Sequence, residues 1–242
     1  MKRDTMRRSA RKAAWGLPLL FVGGVAQAGG LYEVIPAELI DPRSGVFEFW
    51  HEEIRNDQRQ QATTGALTFR NRALRQYRME LGTDGRQADD GLPGDSGSTA
   101  ALEFVQLFRT IEQHGYGLGF AAQADYRITD YERTETFALI PLSVEWGERG
   151  LLTLNAGVIH DEEEREYERL RGISIERDFG HRWAWVLEVW DDNPDEPEEA
   201  KAGLQLRLMD ELLTVNVTYG TRLTSDADDE YYLGLTFDAL RF

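Results

Sequence analysis

Along residues 202–223, AGLQLRLMDELLTVNVTYGTRL, nearly every residue changes character from its neighbour. Ala202, Leu204, Leu206 and Leu208 fall on one side, with Gly203, Gln205, Arg207 and Met209 on the other. After Asp210-Glu211 the pattern resumes. Leu213, Val215, Val217, Tyr219 and Leu223 share an apolar face that only Thr221 breaks, opposite Thr214, Asn216, Thr218, Gly220 and Arg222. A period of two held for about ten residues on each side of a short acidic break predicts two antiparallel strands joined by a tight turn. Ordinary strands run about five or six residues, whereas a tilted strand crossing a bilayer needs roughly nine to eleven. One apolar face and one polar or charged face suit lipid outside and a wet lumen inside.

The same alternation recurs along the chain. Residues 46–55 and 62–70 carry weaker versions, and 75–82 a better one that sets Tyr77, Met79 and Leu81 opposite Gln76, Arg78 and Glu80. Residues 101–112 and 116–128 follow, the latter alternating without error from Tyr116 to Ile128. Further strands are expected at 134–146, 151–160, 170–179, 182–191 and 230–242. With the opening pair this makes twelve, or ten if the region before Gly82 is mispaired. Pro141 cannot donate to a ladder, so a bulge is expected there. Residues 83–100, dense in Gly, Asp and Ser, read as a long loop, and 161–170 could form a short helix. Short connections at 71–74, 113–115, 147–150, 180–181 and 210–211 take turns with mostly longer, acidic ones. Short turns on one side and long loops on the other predict a closed antiparallel transmembrane β-barrel with both termini on the periplasmic side.

The N-terminus supplies the address. Six basic residues in 1–14, an apolar run at 15–25 and Ala26-Gln27-Ala28 form the three parts of a secretory signal peptide at 1–28. About eleven apolar residues are too few to span a bilayer as a helix. Residues 29–45, with Pro36 and Pro42 and no sustained period, read as a periplasmic lead-in to a barrel at 46–242. The expected location is the bacterial outer membrane.

Composition narrows the function. The 242-residue chain has no cysteine, so disulfides and thiolate chemistry are excluded. Its net charge is -16, and removing the signal peptide takes that to -21, a poor match for nucleic acid. The expected inner-face residues, as lumen lining or gate, are Arg78, Glu80, Glu103, Arg109, Asp125, Arg127, Glu145, Glu176, Asp178, Arg182, Glu188, Arg207, Arg222 and Asp238. They either select solutes at a constriction or form an ionic plug that holds the wall together. Trp146, Trp183, Trp185, Trp190, Tyr219, Tyr231 and Tyr232 lie near strand ends and suit an interfacial aromatic girdle. The acidic runs at 161–168, 191–199 and 226–230 match no spaced calcium loop; they suit a solvated face or divalent bridging to lipopolysaccharide. His51, His114, His160 and His181 stand outside any recognisable nucleophile or zinc motif, and no cofactor, metal or enzymatic activity is expected.

The stretch from LLTLNAGVI through RGISIERDFG, WVLEVWDDN, AGLQLRL and NVTYGTRL to YYLGLTFDALRF resembles the outer-membrane barrels of the meta-pathway phenol-degradation transporter family. That resemblance implies a Gram-negative outer-membrane barrel and a passage for small or aromatic compounds. Tyr232, Gly234, Phe237 and Ala239, followed by a terminal aromatic, also resemble the C-terminal signal read by barrel-assembly machinery, although three residues follow Ala239. The expected partners are therefore outer-membrane lipid, lipopolysaccharide, that machinery and a small solute. Two alternatives stand beside a pore or uptake protein. One is a plugged structural or binding barrel with cation-binding loops; the other is a soluble secreted β-barrel or sandwich binder, which would turn its apolar face inward.

Overall fold

A computed structural model describes residues 34–55, 59–70, 73–87, 93–129, 132–162, 165–191, 198–209, 212–223 and 229–241. The expected signal peptide lies outside them, as do parts of the acidic loops. Twelve strands run in chain order: β1 (Ser44–Arg55), β2 (Arg59–Arg70), β3 (Arg75–Gln87), β4 (Pro93–Arg109), β5 (Tyr116–Arg127), β6 (Glu132–Trp146), β7 (Gly150–Asp161), β8 (Glu166–Phe179), β9 (Trp183–Asp191), β10 (Glu199–Leu208), β11 (Leu213–Arg222) and β12 (Asp229–Arg241). Each pairs antiparallel with its chain neighbours, and β1 pairs with β12 to close the barrel. Closure leaves no open edge, so every strand satisfies its backbone groups within the wall.

The apolar set faces out. Leu204 and Val217 are 42% and 55% exposed, whereas Arg207 on the same hairpin is 8% exposed. The same sense holds on β5, where Tyr116, Phe120 and Tyr126 are exposed and Gly117, Gly119 and Ala121 are buried. A soluble barrel with an apolar interior requires the opposite orientation, so that alternative is excluded.

Three local expectations are corrected. Most of 83–100 is strand, since β3 runs to Gln87 and β4 starts at Pro93. A ladder is made by backbone groups, so once the hairpin is paired, small polar residues can extend it where no apolar face is required. Pro141 sits without a bulge: it stays in unbroken register with Asn155 of β7. The register change between β5 and β6 falls at Asp125/Tyr126 instead. Residues 166–170 belong to β8, not to a helix. The one helical turn among the described residues is α1 (Ile111–His114), capped by Gly115 at φ 76° on the connection between β4 and β5. Glycine suits that cap because a Cβ disfavours this left-handed conformation.

The lead-in does not stay outside the wall. Residues 34–40 lie inside the barrel, with Ile40 beside the end that carries the short connections and Val34 further in. Val34 and Ala37 are 1% and 0% exposed, and Ile35 is 8% exposed. At Asp41–Ser44 the chain bends out into β1, helped by Arg43 at φ 61° and by Arg43 N–H donating to the Arg70 carbonyl at 3.1 Å. With Pro36 and Pro42 interrupting its donors, this segment adds no strand to the wall.

Candidate functional site: the barrel interior

The interior has two halves, each filled differently. Along β4 to β9, the N-terminal segment lies against the wall. Val34, Ile35 and Ala37 pack with Val105, Leu107, Ala121, Leu139, Ile159, Leu170 and Trp190 in one apolar cluster. Wall side chains hold its backbone at successive heights. Beside the short-turn end, Ile40 N–H donates to Gln76 Oε1 at 3.0 Å, and Arg70 Nη1 donates to the Ile40 carbonyl at 2.6 Å. Further in, Ala37 N–H donates to Ser143 Oγ at 2.8 Å. Near mid-barrel, Ile35 N–H donates to Asn155 Oδ1 at 2.7 Å while Asn155 Nδ2 donates to the Ile35 carbonyl at 2.8 Å. Val34 N–H donates to Glu188 Oε2 at 3.0 Å.

From β8 round through β12 and β1 to β3, ion pairs and aromatic rings occupy the bore. Arg78 pairs with Glu48 and Glu80, lies opposite Glu103 in the β3–β4 register, and stacks over the Trp50 ring at 5.4 Å. Arg207 reaches Asp178 at 2.8 Å and Glu176 at 3.6 Å. Higher up, Lys201 lies 3.8 Å from Glu230 and 4.8 Å above the Tyr232 ring, whose hydroxyl donates to Glu230 at 2.8 Å. Trp50 and Tyr232 reach across to Val186 on β9 and close a second cluster with Ala66. Pairing of this kind keeps charges tolerable where water is scarce.

The fourteen expected inner-face residues divide accordingly. Arg78, Glu103, Glu176, Glu188 and Arg207 are buried in the interior, and Glu80, Asp125, Arg127, Asp178, Arg222 and Asp238 are partly buried on the same face. Arg222 sits at the long-loop end beside Glu199, with Nε 3.4 Å from its carboxylate. Glu145 keeps inner-face parity but is exposed at the short-turn rim, and Arg182 lies exposed in the turn before β9. Arg109 is a correction. A register shift between Leu107 and Arg109 pairs it with outward-facing Leu118, so the bulge carries its side chain to the outside. There its Nη1 meets His114 Nε2 at 3.0 Å. Trp190 and Tyr232 are also corrected: they share faces with Glu188 and Glu230 and lie inside at 5% and 6% exposure, not in a girdle. Trp146, Trp183, Tyr219 and Tyr231 are exposed on the outside.

Residues missed from the sequence are Glu48, Lys201, Glu230, Asn155 and Ser143. Parity alone could have found three of them, because Glu48 lies between Phe47 and Phe49, Lys201 precedes Gly203 by two, and Glu230 precedes Tyr232 by two. The role of Asn155 and Ser143 depends on what threads the bore, which alternation does not encode.

At the foot of the segment, Glu38 sits among like charges. It borders a small cavity of about 60 Å³ with Arg70, Thr110 and Glu112. Burial first, and then the neighbouring Glu112 and Glu145 carboxylates, together push its carboxyl up to about 7. The docked pKa is above the ordinary 4.5, so protonation favours docking. That contribution is complete below about pH 4.5 and is lost as pH rises through about 7; a shift of this size corresponds to about 3 kcal/mol. We expect the thermal midpoint in detergent to fall between about pH 5 and about pH 8 by more in the native chain than in Glu38→Gln. Equal falls in the two proteins count against this assignment.

In sequence, the family described as "Uncharacterised conserved protein UCP029691" matches residues 17–239. No curated protein matches. Among solved structures, the barrel is similar to the KdgM porin, with TM-score 0.60, 7% identity, and 78% of this chain and 98% of that chain covered. It is similar to the COG4313 outer membrane channel from Pseudomonas putida F1, with TM-score 0.59, 10% identity, and 83% and 96% covered. Outer membrane phospholipase A from Escherichia coli also matches, with TM-score 0.50, 9% identity, and 82% and 91% covered. At these identities the shared property is the fold, which serves porin, channel and enzyme alike.

Proposed function

Because the chain belongs to the family Uncharacterised conserved protein UCP029691, we propose that this family member is an outer-membrane barrel that passes small solutes, with an interior partly occupied by its own N-terminal segment. The observation carrying this reading is the direction of the wall: the outer face is aliphatic and aromatic, while the buried ionic and amide side chains all lie inside, beside one apolar patch, around a closed ring of twelve strands. Shape similarity to a porin and to an outer-membrane channel supports it. The solute class favoured is small and largely hydrophobic, because the wall carrying Val105, Leu107, Leu139, Ile159 and Leu170 is apolar where the segment now lies. Lipid and lipopolysaccharide would surround the exterior. The C-terminal strand would be the part read by assembly machinery.

The experiment is single-channel recording of the mature protein in a planar bilayer. Discrete conductance steps, absent from protein-free controls, are the expected result. A silent bilayer across a wide voltage range, with correctly inserted protein, removes the transport reading.

A second reading has a specific observation behind it. The segment fills one half of the bore, and Trp50 and Tyr232 meet Val186 across the other. A permanently filled barrel serves as a structural or binding element, and silence in the same recordings favours it.

A further inference from the structure

The manner in which residues 34–40 are held differs from the way the barrel holds its strands. No ladder forms. Instead the wall offers isolated side chains to successive backbone groups: Glu188, Asn155 and Ser143 accept from the amides of Val34, Ile35 and Ala37, while Asn155 and Arg70 donate to the carbonyls of Ile35 and Ile40. Asn155 thus imitates one rung of a β-ladder, accepting from and donating to the same residue. Such contacts recognise the peptide backbone, with apolar walls as the only demand on side chains.

The wall is also shaped for this occupant. A Cβ on Gly117 would overlap the Ala37 carbonyl, and one on Gly172 would come within 2.6 Å of Trp190 Cε3 and 2.7 Å of Val34 Cγ2, both in the cluster that holds the segment. Neither glycine has the positive φ that turn glycines such as Gly115 and Gly147 require. Their absent side chains make room for the segment. At the foot, three carboxyls, Glu38, Glu112 and Glu145, face one another with Arg70 nearby, an arrangement that weakens attachment at that end.

We propose that the inner wall from β4 to β9 is a binding site for an extended peptide strand, and that residues 34–40 are its releasable occupant. Its ligand class is an extended, mainly apolar peptide with free backbone amides. If the pore reading under Proposed function is also correct, leaving this site opens the passage; the binding site itself does not depend on that reading.

The absence of native cysteine allows a direct test in the full-length mature chain. In Ala37→Cys, a thiol reagent reports each departure of the segment. We expect slow labelling, faster by about tenfold or more when Asn155→Ala removes the two bonds to Ile35. A synthetic peptide of residues 34–40, VIPAELI, added in excess should compete for the wall and raise the rate. The same peptide with proline at the positions of Ile35 and Ala37 lacks both amides and should not. Ile35→Cys repeats the measurement if Ala37→Cys does not fold. Labelling that follows only global unfolding, indifferent to Asn155→Ala and to peptide, overturns the proposal. A disulfide in Ala37→Cys/Ser143→Cys separates the two claims. Conductance is the readout here, because the bridge itself consumes the thiol at position 37. If conductance stops and returns with reductant, release opens the pore. If conductance continues through the bridged protein, the gate claim falls, and the site is judged by the labelling of the single variant. Labelling that proceeds by release in a protein that never conducts retains the site and removes the pore.

Discussion

Replacing Arg78 by Met is expected to destabilise the folded barrel by about 3–5 kcal/mol, the cost of leaving buried carboxylates without their cation. Arg78 is 3% exposed and bridges Glu48, itself 2% exposed, to Glu80, with Glu103 opposite. Removing the guanidinium leaves three acidic groups facing one another in a space with little water, and Trp50 loses its stacking partner. The loss should be read as a lowered midpoint in urea unfolding from lipid or detergent, followed by the heat-dependent gel mobility of a folded barrel. Replacing Glu48 by Gln in the same chain should recover part of it, because one of the uncompensated charges is then gone. The double variant separates charge from packing: no recovery means that Arg78 contributes mainly through its contacts with Trp50 and Thr68.

The second large effect lies on the opposite face. Leu204→Arg should cost about 2–4 kcal/mol in a bilayer, the range expected for a cation facing lipid near the midplane. Leu204 is 42% exposed on the outside of β10, near the middle of a strand that runs from Glu199 to Leu208. An arginine at such a surface position in water is nearly neutral, usually within about 0.5 kcal/mol. The substitution therefore discriminates between environments that leave Leu204 equally exposed. A variant as stable as the parent in lipid means that this surface does not face acyl chains. The same change at Leu223, beyond the end of β11, should cost far less, about 0–1 kcal/mol, because a long side chain there reaches the interface.

How far the sequence could be read depended on whether the deciding contact was local. The strands, their antiparallel order and the shared face of Leu204, Phe120 and Val217 follow from alternation, while the exposure of that face in the closed ring chose between a lipid-facing barrel and a soluble one. A strand in a barrel wall has two solvents, and each residue must match the one it meets. The same parity would have placed Glu48, Lys201 and Glu230 inside had it been applied throughout. Arg109 defeats it, since a single extra residue beside Leu107 turns the following side chain outward and nothing in its own composition announces the shift. Trp190 and Tyr232 defeat a different rule. Their ring type suits a membrane interface, yet inner-face parity carries them inside, where Trp190 joins the segment's apolar cluster and Tyr232 meets Trp50 and Val186.

By itself the sequence determined an alternating wall with a short and a long end, because each strand must present one face to each of two surroundings; closure at twelve strands and the outward sense of the apolar face came from the structure. Only the tertiary structure decided what fills that wall. Residues 34–40 have no period and two of the last nine before β1 are prolines, so their course is set by distant partners, Arg70 and Gln76 at the foot and Ser143, Asn155 and Glu188 more than 100 residues away, and by the side chain that Gly117 lacks. Closing the ring brings those partners to one line down the bore. Before closure they are five separate strands' worth of ordinary polar and small residues, and no local pattern distinguishes them.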